Sequence, residues 1–223
     1  MFTHSDAYPS LNITVINGPT GRFYVTPEGK KYPSITTVLG AKDKPWLAEW
    51  RNSLGEKKAD KETKRAADRG EAVHLMIERH LANDPDPTQG QKTEHISEFN
   101  SIKLHLKKID SILLQESALY SDVLRVAGRV DCVASFGGKL SIIDFKTSTN
   151  NKYESMVQDY FLQTAAYALM FHERYDVQID QLVILMTVER GAVPLVFRKQ
   201  IDDYVEPLCE RINTFHKQQG VSK

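Results

Sequence analysis

The stretch "GRVDCVASFGGKLSIIDFKTS", Gly128–Ser148, decides the fold because it joins two apolar runs through one short turn. Adjacent glycines, here Gly137 and Gly138, are typical of a two-residue hairpin loop, since both positions of a type I′ turn need a positive φ. A loop of these two residues pairs Phe136 with Lys139 and fixes every later pair along the strands. The sequence therefore predicts an antiparallel hairpin of defined register.

Charged residues interrupt both apolar runs of this hairpin. In the predicted register Asp131 faces Asp144. Two residues further along each strand, Arg129 faces Lys146. Because side chains alternate along a strand, all four project from one face of the ribbon. The opposite face is predicted to be core and carries Val130, Cys132, Ile143 and Phe145.

The opposed carboxylates of Asp131 and Asp144 need compensation, because like charges with Cβ atoms roughly 5 Å apart destabilise a sheet. A shared proton or a bound cation can supply it, and the neighbouring Lys146 favours ionised carboxylates and therefore a divalent cation. Such oxygen ligands suit Mg²⁺ or Mn²⁺, and a lysine beside the ion can position or deprotonate an attacking water. The alternative is a solvated strand end with ordinary ion pairs.

The composition is that of an ordinary folded chain. The 223 residues are 41% hydrophobic and 26% charged, with equal numbers of acidic and basic residues, so disorder is excluded and no net charge attracts nucleic acid. No apolar run reaches the roughly 18–20 residues of a membrane span, and Met1–Ser10 lacks signal-peptide features. Cys132 and Cys209 are too few for a disulfide framework, a zinc site or an iron–sulfur cluster. We interpret the chain as an intracellular protein that does not act at a membrane.

The patterns along the chain predict a helical front followed by a sheet. Two short β-like pieces, "LNITVI" and "RFYVT", precede short helices that begin after Pro33. From Ala59 to Leu81 small and apolar residues recur at steps of three and four, typical of one buried helix face, and His74 lies on this stripe. Strand-like runs rich in Val, Ile, Leu and Phe then alternate with helices at about 156–172 and at 202–218. We predict an α/β fold with a mixed central sheet.

These motifs together resemble the PD-(D/E)xK nuclease superfamily, in particular its RecB-like branch. "GRVD" and "DFKT" match the pattern Gly-x-x-Asp followed by Asp-x-Lys and Thr. "RGEAVH" resembles the upstream helical histidine after an Arg-Gly pair, and "QTAAY" resembles the Gln-x-x-x-Tyr helix. "YPSITTVLG" further resembles the mitochondrial genome-maintenance exonucleases and related phage exonucleases of this branch. The proline of the superfamily's name is absent before Asp131, and the four-cysteine iron–sulfur cluster of some relatives cannot form.

The resemblance implies a role for each matched residue. The implied metal ligands are four groups, namely His74, Asp131, Asp144 and the backbone carbonyl of Phe145. Lys146 is the implied catalytic lysine, which acts with the two aspartates. Gln163 and Tyr167, one helical turn apart, would face the site and contact DNA or the lysine. Glu116, on the preceding strand, matches a glutamate of secondary importance.

Three further residues have two interpretations each. Arg69 belongs to a highly charged helical stretch, which is either a solvated face or a basic surface that contacts phosphates. Ser34 and Thr36, at the start of a helix, either bind a phosphate or cap the helix. We treat Arg69 as a candidate substrate-binding residue and the two hydroxyls as weaker candidates.

The resemblance implies a restriction-endonuclease-like core with an N-terminal helical elaboration. We expect one nuclease domain over 1–223, with hairpins and short helices in 1–58, the histidine helix in 59–110 and the sheet core in 111–223. The implied activity is a Mg²⁺-dependent deoxyribonuclease, with Mn²⁺ as an alternative ion, that acts as an exonuclease on single-stranded DNA ends.

Three alternatives stay open at this point. The first is a structure-selective or general endonuclease, the second a DNA-binding module without catalysis, and the third an interaction domain with a structural cation. The expected partner is DNA, with unidentified replication or recombination proteins. The expected setting is DNA replication, recombination or repair in a bacterial or phage-infected cell, or in an organelle.

Overall fold

The computed structural model describes residues 1–42, 45–191 and 193–220, and helices separate its two groups of strands. In chain order the strands are β1 (Thr14–Gly18), β2 (Gly21–Val25), β3 (Lys31–Pro33), β4 (Ile109–Ser121), β5 (Val126–Phe136), β6 (Lys139–Ser148), β7 (Gln181–Val188) and β8 (Leu195–Gln200). The helices are α1 (Ile35–Gly40), α2 (Pro45–Leu54), α3 (Glu56–Leu81), α4 (Thr93–Leu106), α5 (Gln158–Tyr175) and α6 (Asp202–Gln218). The predicted order of a helical front followed by a sheet with interleaved helices is confirmed.

A mixed five-stranded sheet in the order β4-β5-β6-β7-β8 forms the centre of the fold. Neighbouring strands are antiparallel except β6 and β7, which are parallel. A parallel pair needs a crossover connection, and α5 provides it between these two strands. The α/β class and the mixed central sheet predicted from the sequence are confirmed.

Helices cover both faces of this sheet. On one face, called here the α5 face, α1, α5 and α6 pack around buried side chains that include Phe161 and Phe171. On the other, called the α3 face, α3 and α4 pack around Phe99 and Phe136. Among the helices of the described residues, none combines the length and the apolar content needed to cross a membrane.

The β5–β6 hairpin has the register predicted from its two glycines. Both glycines of the turn have positive φ, 60° and 82°, as a type I′ turn requires. Phe136 pairs with Lys139, and the ladder continues to Cys132 opposite Ile143. The local chemistry of the turn therefore determines the pairing over the first half of the hairpin.

The ladder ends one pair before the two aspartates, so the prediction that Asp131 and Asp144 are ladder partners is wrong. Beyond the last ladder pair, the Asp131 carboxylate accepts a hydrogen bond from Phe145 N–H at 2.8 Å. The Asp131 side chain thus accepts the hydrogen bond that a backbone carbonyl of β5 would accept in a regular ladder. Arg129 correspondingly pairs with β4 and does not oppose Lys146 as predicted.

Side-chain alternation breaks at the same level of the sheet. Val130 packs in the α5-face core and Cys132 in the α3-face core, so the prediction that they share a face is wrong. Glu116 lies opposite this break on β4, between Gln115, which pairs with Cys132, and Ser117, which pairs with Val130. Its φ is 46°, a left-handed conformation that is uncommon for a residue other than glycine. The break turns acidic side chains of two strands toward one place.

The strands β1, β2 and β3 form a separate antiparallel sheet that packs against the start of β5. Tyr32 is buried beside Ala127, and its hydroxyl donates to Asp122 at 2.6 Å. Ser34 forms a single β-bridge to the same alanine and then caps α1, accepting a hydrogen bond from Thr37 N–H at 3.0 Å. The predicted N-cap is confirmed, and it attaches α1 to the central sheet.

Candidate functional site

Side chains of three elements meet at the break in the sheet. His74 of α3, Glu116 of β4 and Asp131 of β5 each offer one nitrogen or oxygen atom, and these atoms lie within 4.8 Å of one another. All three side chains are partly buried. The resemblance implied a secondary role for Glu116, whereas the structure includes it in this group and has Asp144 beside the group.

The electrostatics of this group fit a divalent cation. Burial raises the pKa of Glu116 to about 7, and the like charge of the Asp131 carboxylate adds a smaller effect of the same sign. Arg129 lies 3.7 Å from Glu116 but is 59% exposed, so its charge is largely screened by water. Two carboxylates are ligands that suit Mg²⁺ or Mn²⁺, and a bound ion would remove the repulsion. The residues therefore fit the metal ion that the resemblance implies.

The backbone of Phe145 adjoins the same group. Its N–H donates to Asp131 Oδ2, and its carbonyl oxygen lies 2.5 Å from His74 Nε2. His74 Nδ1 is 3.9 Å from the same Asp131 oxygen. The carbonyl that the resemblance implied as a ligand thus lies next to the histidine, at the point where β5 and β6 separate.

The buried Asp144 forms an ion pair with the partly buried Lys146 beside this group, on the α5 face. Asp144 is 1% exposed, its Oδ2 contacts the Lys146 ammonium, and its Oδ1 accepts a hydrogen bond from Gln163 Nε2 at 3.1 Å. Burial raises the pKa of Asp144, and the ammonium offsets only part of this effect. Burial alone would lower the pKa of Lys146, but the charges of Asp144 and Asp131 outweigh it, and the pKa is raised. The lysine is therefore an ammonium oriented by a carboxylate.

Gln163 and Tyr167, one turn apart on α5, connect the ion pair to the start of β5. Gln163 Nε2 lies 3.3 Å from Tyr167 Oη and donates to it as well as to Asp144. Tyr167 is buried and covers Gly128, where an added Cβ would lie 2.7 Å from the tyrosine ring. Burial raises the pKa of Tyr167 well above its usual value, so the hydroxyl stays neutral. The glycine of Gly-x-x-Asp is needed here because a Cβ at this position would overlap the tyrosine ring.

Gly128→Ala is expected to destabilise the protein by about 1–3 kcal/mol, because Tyr167 must move to admit the new methyl group. The nuclease activity that the resemblance implies should fall as well, since Tyr167 contacts Gln163. Urea unfolding and a nuclease assay measure the two effects. Gly40→Ala is the control, because a Cβ at Gly40 of α1 would meet no atom within 4 Å. Equal stability of the two variants would contradict the assigned contact.

The structure puts Arg69 in a different environment from the one predicted. Its side chain is 5% exposed and lies between Glu98 of α4 and Glu189, which follows β7. It also donates to Thr149 Oγ1 at 3.3 Å. These contacts connect α3 to α4 and the sheet and leave little surface for a phosphate, so we omit Arg69 from the proposed substrate-binding residues.

Ser34 and Thr36 have partners within the N-terminal region. Ser34 is 2% exposed, and its Oγ lies 2.9 Å from Thr36 Oγ1 and also caps α1 through Thr37 N–H. Of the two interpretations of Ser34, the structure shows the helix cap.

Two features of the site were not predicted from the sequence. Glu116 carries the same signal as Asp131, a carboxylate in an apolar strand, and that signal could have placed it among the primary ligands. The contact between Gly128 and Tyr167 has no local signal, because it joins residues on different elements. Only the three-dimensional arrangement identifies why that glycine is there.

Comparison with known proteins gives the family. A model of the PD-(D/E)XK nuclease superfamily matches residues 92–214, more than half of the chain. This chain belongs to that superfamily. Nucleases of the superfamily usually use divalent metal ions. The matched range includes Glu116, Asp131, Asp144 and Lys146, but not His74.

Curated relatives include mitochondrial genome maintenance exonuclease 1 of two mammals and a frog. The Homo sapiens protein is 30% identical over 176 residues, which is 72% of this chain and 50% of that protein. The Mus musculus protein is 28% identical over 173 residues, 72% of this chain and 51% of that protein. The Xenopus tropicalis protein is 27% identical over 173 residues, 72% of this chain and 49% of that protein. The chain therefore spans about half the length of these relatives.

Proposed function

We propose that this chain is a metal-dependent DNA exonuclease that hydrolyses phosphodiester bonds. The observation that carries the proposal is one juxtaposition, the His74–Glu116–Asp131 group beside the ion pair of Lys146 with the buried Asp144. The carboxylates of Glu116 and Asp131 repel each other and therefore favour a bound cation. The neighbouring Lys146 ammonium supplies a second positive charge. Both suit a reaction at a phosphate, whose oxygens gain negative charge in the transition state.

The ligands of the proposed ion are His74, Glu116 and Asp131, with Asp144 and the Phe145 carbonyl adjoining them. Mg²⁺ is the proposed ion, and Mn²⁺ is an alternative. When bound, such an ion supplies a Lewis acid for the scissile phosphate and lowers the pKa of water. Within the protein, the Phe145 N–H orients Asp131 and the Phe145 carbonyl orients the His74 ring.

Lys146 is the proposed catalytic lysine. Its ammonium contacts one oxygen of Asp144, and its remaining N–H groups can donate to an attacking water or to a phosphate oxygen. Asp144 is in turn fixed by Gln163, and Gln163 by Tyr167. These two α5 residues therefore act as positioning residues, because they orient the carboxylate that orients the lysine.

The proposed polymer is DNA, and the proposed point of attack is an end. The three relatives are exonucleases of genome maintenance by name, and single-stranded ends are the substrate that we propose. An intracellular setting in DNA replication, recombination or repair stays a prediction, as does any protein partner.

Digestion of linear and circular single-stranded DNA of equal sequence tests this proposal. With Mg²⁺, we expect linear DNA to be degraded to short products and the circle to survive, because an exonuclease requires an end. Addition of EDTA should abolish the activity, and excess Mg²⁺ should restore it. Labels at the 5′ or the 3′ end then report the polarity from the order in which each label is released.

Other outcomes of this experiment identify the alternatives. Cleavage of the circle indicates an endonuclease on the same scaffold. DNA binding without cleavage, in both Mg²⁺ and Mn²⁺, indicates a DNA-binding module. Neither binding nor cleavage, together with metal binding, indicates an interaction domain with a structural cation. Each of these results would overturn the proposed activity.

A further inference from the structure

The start of α1 contacts the region that positions the catalytic residues, although α1 lies outside the range matched by the family model. A Cβ added at Gly128 would lie 2.7 Å from Tyr167 Cε1 and 3.2 Å from Ile35 Cγ2. Ile35 is fully buried in the α5-face core. Side-chain atoms of Ile35 and Tyr167 therefore both lie close to one backbone position of β5.

The N-terminal sheet fixes α1 at this position. Ser34, directly before Ile35, forms a β-bridge to Ala127, directly before Gly128. Tyr24 of β2 is 2% exposed and belongs to the same buried cluster as Ala127. The segment that carries Ile35 is thus attached to the central sheet directly before this residue.

We propose that Ile35 is a positioning residue of the nuclease site. It packs beside Tyr167 over β5, and Tyr167 accepts a hydrogen bond from Gln163 at 3.3 Å. Gln163 donates to Asp144 at 3.1 Å, and Asp144 orients Lys146. Removal of the isoleucine leaves a cavity next to a large ring, and surrounding side chains relax into such space. A shift of the tyrosine then weakens the bond that holds the carboxylate.

A core residue of α1 without this contact is the matched control. Val38 is 1% exposed, belongs to the same core and lies one turn after Ile35. It is not among the nearest neighbours of the space over Gly128. Truncation of either residue to alanine removes buried apolar volume, but only Ile35 is expected to affect the catalytic residues.

The first test compares Ile35→Ala, Ile35→Val and Val38→Ala under single-turnover conditions with saturating Mg²⁺ and DNA. Ile35→Ala should slow cleavage up to about tenfold, the effect of one weakened hydrogen bond. Val38→Ala removes none of the nearest neighbours of the space over Gly128 and should change the rate less than about twofold. Ile35→Val keeps Cγ2 and should restore most of the rate. DNA affinity, measured with Ca²⁺ in place of Mg²⁺, should be equal in all variants.

The role of Ile35 in catalysis rests on the nuclease activity proposed above. The second test therefore uses a measurement that does not require DNA cleavage. The side-chain amide signal of Gln163 in the metal-free protein, assigned by its loss in Gln163→Glu, should shift in Ile35→Ala and not in Val38→Ala. An unshifted signal, or equal slowing by both alanine variants, would overturn the role of Ile35. If the wild type does not cleave DNA, the proposed function fails, and the amide signal still decides whether Ile35 positions Gln163.

Discussion

Replacement of Lys146 by methionine is expected to reduce cleavage by about 10²–10⁴-fold, the range for loss of one positioned catalytic group. The same change should destabilise the protein by about 3–5 kcal/mol, because it leaves one charge of a buried pair without its partner. That charge is on Asp144, which is 1% exposed and keeps its hydrogen bond from Gln163. Methionine fills most of the volume of the lysine stem, so lost packing contributes little.

The double variant Asp144→Asn/Lys146→Met separates catalysis from folding. Without either charge, no buried ion lacks a partner, and the free energy of unfolding should return to within about 1 kcal/mol of the wild type. An asparagine can still accept the hydrogen bond from Gln163. Cleavage should nevertheless stay as low as in the single variant, because the ammonium is absent.

Urea unfolding and digestion of end-labelled DNA provide the two measurements. Recovery of stability without recovery of cleavage shows that lost folding stability does not explain the lost cleavage of Lys146→Met. Cleavage within tenfold of the wild type in Lys146→Met would show that this lysine serves only the fold. Recovery of cleavage in the double variant would show that an uncompensated Asp144 had disturbed the site.

The sequence predicts the hairpin well because its pairing depends on a local cause. Two adjacent glycines with positive φ fix the turn, and the turn fixes the ladder from Phe136–Lys139 to Cys132–Ile143. The fold class follows from patterns of similar range, namely helical steps of three and four and strand-like apolar runs. Such signals lie within one element or one turn, where composition and spacing are sufficient to predict the structure.

The end of that ladder could not be predicted, because its cause is a side chain. The Asp131 carboxylate accepts the Phe145 N–H that a regular ladder would have used otherwise. Glu116 adds a left-handed backbone conformation for which its residue type gives no signal. Strict alternation therefore failed at the site, where strands are irregular and acidic groups of different strands meet.

Arg69 shows a second limit of sequence reasoning. A basic residue in a charged helix is equally compatible with a phosphate contact and with an internal ion pair. Its partners, Glu98 and Glu189, are distant in the sequence, and only folding brings them to the arginine. The residue type predicts the positive charge of Arg69, but the contacts of that charge depend on the carboxylates that folding brings near it.

Asp131→Asn is expected to abolish metal binding and to lower cleavage by about 10³-fold, since a catalytic ion contributes several kcal/mol to transition-state stabilisation. Asparagine can still accept the hydrogen bond from Phe145 N–H, so the separation of β5 and β6 should persist. Thermal unfolding with and without Mn²⁺ measures binding independently of activity. A ligand at 100 times its dissociation constant stabilises the wild type by about 2.7 kcal/mol, and the variant should lose this gain. Asp110→Asn, an exposed carboxylate on β4, should retain it.

Glu116→Gln distinguishes a metal ligand from a carboxylate that serves folding. In the metal-free protein Glu116 repels Asp131 from a partly buried position, and its contact with the exposed Arg129 is weak. Removal of this charge should therefore raise the metal-free stability by roughly 0.5–2 kcal/mol, as is common where a site is strained for function. The stabilisation by Mn²⁺ should disappear at the same time. A carboxylate needed for the fold would instead lower stability when replaced, so the sign of the change decides between the two roles.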